Sequence, residues 1–216
     1  MTLEELANLI KTRRSIRRWQ DKPVPESLLM QAVELATWAP NAANQQSWRF
    51  YVIVNRNTIK AIADAVQASV DQVASWPEAE KFAADVAKWR QTAVFFQTAP
   101  AAIAVATGRY QAVADRVLAL REKVDAEAAR IREWRNTASS RTQTIGAAVA
   151  YLLLVLHQMG LGAVWMTGPM QAKGQIEKIL KTPPEMDIVT FVPVGYPAES
   201  PTKTRKPVSE VSEVVR

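Results

Sequence analysis

The sequence predicts a single α/β (α+β) domain in which strands alternate with helices. Of its 216 residues, 48% are hydrophobic and 22% are charged, which suits one compact domain with a sizeable core. Apolar residues recur at helical spacing in several segments, and short runs of β-branched and aromatic residues lie between them. No repeat, low-complexity block or linker divides this order, so the prediction treats residues 1–216 as one domain.

Several predicted elements have a signal at their boundary. Thr2 and Glu5 have the spacing of a capping box, which opens a first helix that ends at a run of arginines. Pro40 ends a second helix, and Gly160 ends a long apolar helix that begins near Thr144. The remaining patterns predict helices at about 58–74, 78–97, 109–135 and 171–180, with the second helix at about 28–36, and strands at about 48–54, 101–106, 164–167 and 188–194.

Two segments are predicted to lie outside the core. The stretch at about 108–138 is a charged helical excursion, which is either a lid or a solvated surface. The tail at about 197–216 is rich in proline and basic residues. Four tryptophans, Trp38, Trp76, Trp89 and Trp134, either line a cavity or, as is more usual at helical positions, belong to the core.

The composition excludes several kinds of chemistry. The chain has no cysteine, so disulfides, thiolate zinc sites, iron–sulfur clusters and cysteine nucleophiles are ruled out. Its one histidine, His157, cannot form a multi-histidine metal site and lies on an apolar helix, where a structural role with a satisfied hydrogen bond is expected. No G-x-S-x-G motif surrounds a serine, so a catalytic triad is not indicated. Chemistry carried by an organic cofactor fits this composition best, and no metal is expected.

The N-terminus and the apolar runs favour a cytoplasmic protein. The first residues are polar and lack the pattern of a signal peptide, and the apolar run at 145–156 is shorter than the roughly 20 residues that span a bilayer. The net charge of +6 is compatible with a nucleic acid, a membrane surface or a small anionic ligand. Charge alone does not choose among these.

Basic side chains are the candidates for binding a phosphate. The seven glycines form neither G-x-G-x-x-G nor G-x-x-x-x-G-K, so a backbone phosphate cradle is not indicated. Arginine can give a phosphate two parallel hydrogen bonds. A solvated surface is the alternative for either cluster. The clusters are Arg13, Arg14, Arg17 and Arg18 near the start of the chain, and Lys203, Arg205 and Lys206 near its end.

An amide-rich loop follows the second helix. Residues 39–48 place asparagine and glutamine side chains between a proline that ends a helix and a tryptophan that begins a strand. Such amides suit the donors and acceptors on the edge of a flavin ring. An ordinary amide-rich turn is the alternative.

These motifs together resemble the nitroreductase family over nearly the whole chain. The resemblance lies in five blocks, which occur in the family's order. They are Arg13-Arg14-Ser15-Ile16-Arg17 with Pro23-Val24-Pro25; the loop Ala39 to Trp48; Gly146 with the helix that runs to Gly160-Leu161-Gly162; Trp165-Met166-Thr167-Gly168; and Val194-Gly195-Tyr196-Pro197 followed by Lys203-Thr204-Arg205.

The resemblance implies a nitroreductase-like fold, with a mostly antiparallel or mixed sheet flanked by helices, in an intertwined homodimer that binds FMN at its interface. It assigns the FMN phosphate to Arg13, Lys203 and Arg205, with Ser15 beside it, and Arg14 of the same block is counted among the cofactor-binding residues. It assigns Arg17 to the pyrimidine edge, where a cation would stabilise the reduced flavin. It assigns Pro40, Asn41, Ala42 and Asn44 to a loop contributed by the partner, and Met166, Thr167 and Gly168 to the segment beneath the ring.

By the same resemblance, NADH or NADPH reduces the flavin at N5, and a small acceptor such as a nitroaromatic or a quinone is then reduced, with no side chain acting as nucleophile. Another reaction known in the family, such as reductive dehalogenation, flavin fragmentation or dehydrogenation of enones or peptides, is one alternative. A basic nucleic-acid-binding protein is an alternative of another class. A flavin contact that the family places before its second strand is not assigned among Lys88, Arg90, Gln91 and Thr92.

Overall fold

A four-stranded antiparallel sheet lies at the centre of the molecule. The computed structural model describes residues 1–108 and 112–216, and in these residues the strand order is β1-β2-β4-β3. The helices are α1 (Leu3–Thr12), α2 (Glu26–Ala36), α3 (Arg56–Ala74), α4 (Ala83–Thr92), α5 (Val113–Arg121), α6 (Ala126–Ala138), α7 (Ser140–Gln158) and α8 (Lys173–Ile179), and the strands are β1 (Trp48–Ile53), β2 (Ala101–Gly108), β3 (Gly162–Ala163) and β4 (Met186–Gly195).

Helices cover both faces of the sheet, as predicted. Successive residues of β2 point to opposite faces. Ile103 and Val105 pack with apolar residues of α2 and α7, whereas Ala102 and Ala104 pack with α3 and α8. β2 is buried almost throughout, because it is a central strand with a helix layer on either side.

The long apolar helix α7 is part of the core. Its residues Ala148, Val149, Leu152 and Leu156 are fully buried, which explains the apolar run in the sequence. Among the described residues, none of the helices combines the length and the apolar character needed to cross a membrane.

The strand predicted at 164–167 is absent, and a two-residue strand, β3, lies just before it. Met166 keeps only an isolated bridge to Phe191. The reason lies in β4, where Pro193 faces Val164. Val164 N–H donates to Pro193 O at 3.4 Å, but Pro193 has no N–H to return, so the ladder stops.

The single helix predicted at 78–97 is also wrong, because the segment is broken into three pieces. A 3-10 helix (Pro77–Phe82), α4 and a second 3-10 helix (Phe95–Thr98) follow one another. The last piece turns away because Phe96 is fully buried against Phe191, and Phe95 stacks on Trp19 at 6.2 Å between ring centroids. Burial of these rings overrides the helical pattern.

The charged excursion forms two helices rather than one. Asp125 separates α5 from α6, and its carboxylate accepts hydrogen bonds from the main-chain N–H groups of Glu127 and Ala128 at the start of α6. The first residues of the predicted helix, 109–111, lie outside the described residues.

Three of the four tryptophans do not belong to the core. Trp38, Trp76 and Trp134 are 78%, 51% and 58% exposed, so the expectation of core positions is wrong for them. Trp89 is partly buried against the cluster between α3 and the sheet.

Candidate functional site

The first arginine cluster lies on a turn that is fixed against the edge of the sheet. α1 ends at Thr12, and the chain then extends so that Ile16 N–H donates to Ala163 O of β3 at 3.1 Å. The side chain of Ile16 is buried against Gly162, where there is no room for a Cβ. Arg17, the next residue in this extended segment, is exposed.

The C-terminal segment returns to the same turn. Gln20 N–H donates to Tyr196 O at 2.9 Å, Ala198 N–H donates to Arg18 O at 3.0 Å, and the Gln20 side chain donates to Pro197 O. The segment that leads to the second basic cluster therefore begins beside the arginine turn.

The electrostatics at this meeting point favour an anion. Burial and the positive charges of Arg205 and Arg14 lower the pKa of the Arg13 guanidinium. In the part of the chain that the structure describes, the side chains of Arg13, Arg14, Arg17, Lys203 and Arg205 form no ion pair. Elsewhere, by contrast, Arg135 pairs with Asp115 at 2.5 Å. Cations that repel one another and have no acidic partner among the described residues are suited to bind a phosphate.

Arg14 has a local role in addition to the one predicted for it. Its Nη1 donates to the main-chain carbonyls of Lys11 and Arg13, the latter at 2.9 Å, at the C-terminal end of α1. This contact satisfies carbonyl groups that the helix leaves without a partner. The guanidinium is half-buried and lines a cavity of about 210 Å³ between the turn and the C-terminal segment.

The predicted segment at 166–168 lies beside the arginine turn. Met166 packs against the cluster that contains Ile16 and Trp19, and it exchanges two main-chain hydrogen bonds of 3.0 Å with Phe191. In the described chain the N–H of Thr167 donates to no protein group, and Gly168 opens a 3-10 helix (Gly168–Ala172), so its N–H has no intrahelical acceptor. Both residues are exposed, and their N–H groups are available to a ligand.

The amide-rich loop is held in a strained conformation. Ala43, Asn44 and Gln46 have φ values of 50°, 52° and 48°, in the left-handed region that L residues rarely adopt. Asn41 fixes this shape, because its Oδ1 accepts from Gln46 N–H at 2.9 Å and its Nδ2 donates to Ala39 O at 3.3 Å. Backbone strain that the surrounding structure enforces is concentrated at functional sites.

Within one chain, this loop is distant from the arginine turn. Ala42 N–H donates to the buried Thr144 at the start of α7, whereas Thr12, beside the arginines, contacts His157 at the end of the same helix. Thirteen residues of α-helix span about 20 Å. The two sets of predicted binding residues therefore lie at opposite ends of α7.

His157 makes the hydrogen bond that a structural histidine requires. Its Nε2 lies 3.0 Å from Thr12 Oγ1, and the Thr12 hydroxyl donates its proton to Asn8 O at 2.7 Å. Thr12 must then accept from the imidazole, so Nε2 carries a proton. Burial, Arg13 and Arg14 lower the pKa of His157.

Thr144 and Glu199 are two candidate functional residues that no sequence motif indicates. Thr144 is a buried polar residue whose hydroxyl anchors the strained loop. The carboxylate of Glu199 accepts hydrogen bonds from the main-chain N–H groups of Arg17 and Arg18. Its only signal in the sequence is that no other acidic residue lies between Asp187 and Glu210.

Among the four residues before β2 that were left unassigned as a possible flavin contact, Arg90 pairs with Asp71 at 2.9 Å.

A family model described as "Nitroreductase family" matches residues 10–196, which include the arginine turn, the strained loop and all four strands. The chain belongs to the nitroreductase family. The predicted family resemblance is thereby confirmed.

One curated relative supports this placement, and two solved structures show the same fold. A protein of Thermus thermophilus named NADH dehydrogenase is 32% identical over 189 residues, covering 87% of this chain and 84% of that protein. A BluB-like flavoprotein from Clostridium difficile 630 has the same fold, with a TM-score of 0.84, 24% identity and coverage of 98% and 99% of the two chains. Iodotyrosine deiodinase, solved with FMN and 3-iodo-L-tyrosine, has a TM-score of 0.68 at 24% identity, with coverage of 98% and 97%. The predicted nitroreductase-like fold class is confirmed.

Proposed function

We propose that the chain is an FMN-dependent oxidoreductase that uses NADH or NADPH to reduce a small organic acceptor, such as a nitroaromatic or a quinone. The observation that carries the proposal is the convergence of cations from both ends of the chain, without an acidic partner in the described residues, beside two exposed main-chain N–H groups. Membership of the nitroreductase family and the FMN bound to iodotyrosine deiodinase support the choice of cofactor.

The residues at the turn fit the chemical groups of FMN. Arg13, Lys203 and Arg205 would bind the phosphate, with Arg14 and Ser15 beside it, because guanidinium and hydroxyl groups match its oxygens. Arg17, which is exposed one residue beyond the buried Ile16, would place a cation at the pyrimidine edge. The N–H groups of Thr167 and Gly168, next to Met166, would approach the ring near N5.

A second copy of the chain would complete the site. The strained loop with Pro40, Asn41, Ala42 and Asn44 is about 20 Å along α7 from the arginine turn of its own chain. One chain therefore presents only part of the predicted contacts at either place. We propose a homodimer in which the loop of one protomer meets the arginine turn of its partner.

When bound, FMN would supply the redox chemistry, in which NAD(P)H and a proton reduce the acceptor by two electrons and NAD(P)⁺ is released. The protein would bind and orient the ring, neutralise the phosphate and supply a cation at the pyrimidine edge. The structural similarity to iodotyrosine deiodinase supports a second candidate function, reductive dehalogenation at the same site.

The decisive experiment is spectroscopic. The purified protein should show flavin absorption, release FMN on denaturation, and lose the absorption when NADH or NADPH is added without oxygen. Nitroaromatic, quinone and halogenated tyrosine acceptors are then added to separate samples of the reduced protein. The acceptor that restores the flavin absorption identifies the reaction. A protein that binds no flavin would refute the proposal, and salt-sensitive binding of DNA by such a protein would support the nucleic-acid alternative.

The phosphate assignment is tested by Arg13→Ala, with Arg18→Ala as the matched control on the same turn. Loss of one charge-assisted contact should raise the Kd for FMN about tenfold or more in Arg13→Ala. Arg18 belongs to the same basic cluster, but it is exposed and the family resemblance assigns it no contact with FMN, so the control should bind as the wild type does. Fluorescence titration of the apoprotein measures both constants, and equal Kd values would contradict the assignment.

A further inference from the structure

Glu199 is an acidic residue at the edge of a site whose other charges are positive. Its Oε1 accepts hydrogen bonds from the N–H of Arg17 at 2.5 Å and from the N–H of Arg18 at 3.1 Å. The carboxylate thus binds the backbone of the arginine turn and forms no ion pair with the guanidinium groups in the described residues. The arginine side chains are left free for another anion.

Among the described residues, Glu199 is also the last one whose hydrogen bonds join the C-terminal segment to the rest of the chain. Beyond it, the described hydrogen bonds are local, such as Arg205 Nη1 to Thr204 O and Ser212 Oγ to Val208 O. From residue 202 onward every residue is exposed. Glu199 precedes Lys203 by four residues and Arg205 by six. The positions of these two basic residues therefore depend on where Glu199 fixes the segment.

We propose that Glu199 is a positioning residue for the phosphate site: by clamping the C-terminal segment to the Arg17–Arg18 backbone, it places Lys203 and Arg205 beside Arg13. The inference rests on the proposed function, since it concerns the same FMN phosphate. A segment released from this clamp would sample many conformations, and bringing Arg205 back to the phosphate would cost conformational entropy. Because Glu199 already orders the segment in the apoprotein, this entropic cost does not weaken FMN binding.

The test compares two ligands that differ only in the phosphate. Apoprotein is titrated with FMN and with riboflavin by flavin fluorescence, in the wild type, Glu199→Ala, Glu199→Gln and Arg205→Ala. Glu199→Ala should raise the Kd for FMN about tenfold and leave the Kd for riboflavin within about twofold. Glu199→Gln keeps an oxygen that accepts from both N–H groups and should retain most of the FMN affinity. A general loss of structure would weaken both ligands and is reported by the Tm.

Removing Glu199 from a variant that already lacks both basic side chains, Lys203→Ala with Arg205→Ala, tests whether Glu199 acts through them. If it does, the triple variant should bind FMN no more weakly than the Lys203→Ala, Arg205→Ala double variant within about twofold, because a residue that only positions two side chains has no effect on binding once they are gone. Additive losses would overturn the proposal. Should Glu199→Ala not fold, Glu199→Asp keeps the charge, shortens the reach by one methylene, and should show the same FMN-selective weakening.

Failure of this inference and failure of the proposed function give different results. A wild type that binds neither FMN nor riboflavin refutes the function. A wild type that binds FMN, with a Glu199→Ala variant that binds it equally well or loses riboflavin to the same degree, refutes only the role of Glu199.

Discussion

His157 is a single titratable group placed between a helix end and a cluster of arginines. It lies in the last turn of α7, where the helix dipole would favour the protonated imidazolium. Partial burial and the positive charges of Arg13 and Arg14 act in the opposite direction and lower the pKa of His157 below its usual value of about 6.5. Burial, together with the arginines that suit a phosphate, therefore favours the neutral imidazole in the protein without a bound anion.

This depression of the pKa predicts how the stability of the apoprotein depends on pH. Between the folded pKa and about 6.5, the unfolded chain binds a proton at His157 that the folded chain does not. The free energy of unfolding should then decrease as the pH falls below about 6.5, until the folded pKa is reached. His157→Gln should remove this part of the slope. Urea unfolding at several pH values measures it.

NMR gives a direct control for the same prediction, because the chain contains one histidine and therefore one imidazole to follow. Titration of its ring resonances should give a midpoint below that of a free histidine, and Arg13→Ala should move the midpoint upward. A midpoint at or above the value for a free histidine would contradict the electrostatic argument.

At this scale, the sequence predicts residues whose role follows from a motif and misses those whose role depends on distant backbone. Arg13 and Ser15 belong to a compact block, so their proximity is evident from the sequence. Glu199 contacts the N–H groups of Arg17 and Arg18, more than 180 residues earlier in the chain, and backbone N–H groups leave no mark on the sequence. The hydrogen bond of His157 was expected, but its partner Thr12 was not.

Packing between elements sets the position of the arginine turn. The turn lies on β3, and Ile16 packs directly on Gly162. A Cβ at Gly162 would come within 2.7 to 2.9 Å of three atoms of the Ile16 side chain. Gly162 therefore allows the close approach that brings Ser15 and its neighbours to the edge of the sheet.

Gly162→Ala should consequently damage both the fold and the site. We expect overpacking against Ile16 to cost about 1–3 kcal/mol of unfolding free energy and to weaken FMN binding, because the turn must move. Gly174→Ala is the matched control: Gly174 lies inside α8 with no atom within 4 Å of an added Cβ, so this variant should gain about 0.5–1 kcal/mol. Thermal and urea unfolding with FMN titration test the pair. Equal stabilities of the two variants would refute the packing argument.

At the scale of elements, prediction succeeded where local signals end a helix and failed where tertiary contacts decide. The capping box of Thr2 and Glu5 and the stop at Gly160 are local, and α1 and α7 end where expected. The strand predicted at 164–167 failed because Pro193, in another strand, lacks an N–H. The helix predicted at 78–97 is broken because Phe96 is drawn into the core.

The whole molecule presents more apolar surface than a single chain needs. Trp38 and Leu35 at the end of α2 are 78% and 43% exposed, and Tyr151 of α7 is 43% exposed. Trp38 immediately precedes the strained loop that we propose to act in the partner's site. Large apolar side chains that are exposed beside an incomplete site are typical of a protein–protein interface. The sequence predicted a dimer only through its family resemblance, because exposure is a property of the folded chain.

A charge at Trp38 should therefore separate the protomers and release the cofactor together. We expect the wild type to sediment at twice the mass of one chain, and Trp38→Arg to sediment at the mass of one chain, since an unpaired buried charge costs several kcal/mol at an interface. The variant should also lose FMN, because the loop and the arginine turn would no longer meet. Trp76→Arg introduces the same charge at a tryptophan that is 51% exposed in the connection after α3, and should remain a dimer with FMN. Sedimentation velocity with absorbance at protein and flavin wavelengths measures both properties at once.

A Trp38→Arg monomer that retains FMN as firmly as the wild type would show that one chain suffices to bind the cofactor. The proposal of a site shared between protomers would then be wrong, even if the protein is a dimer.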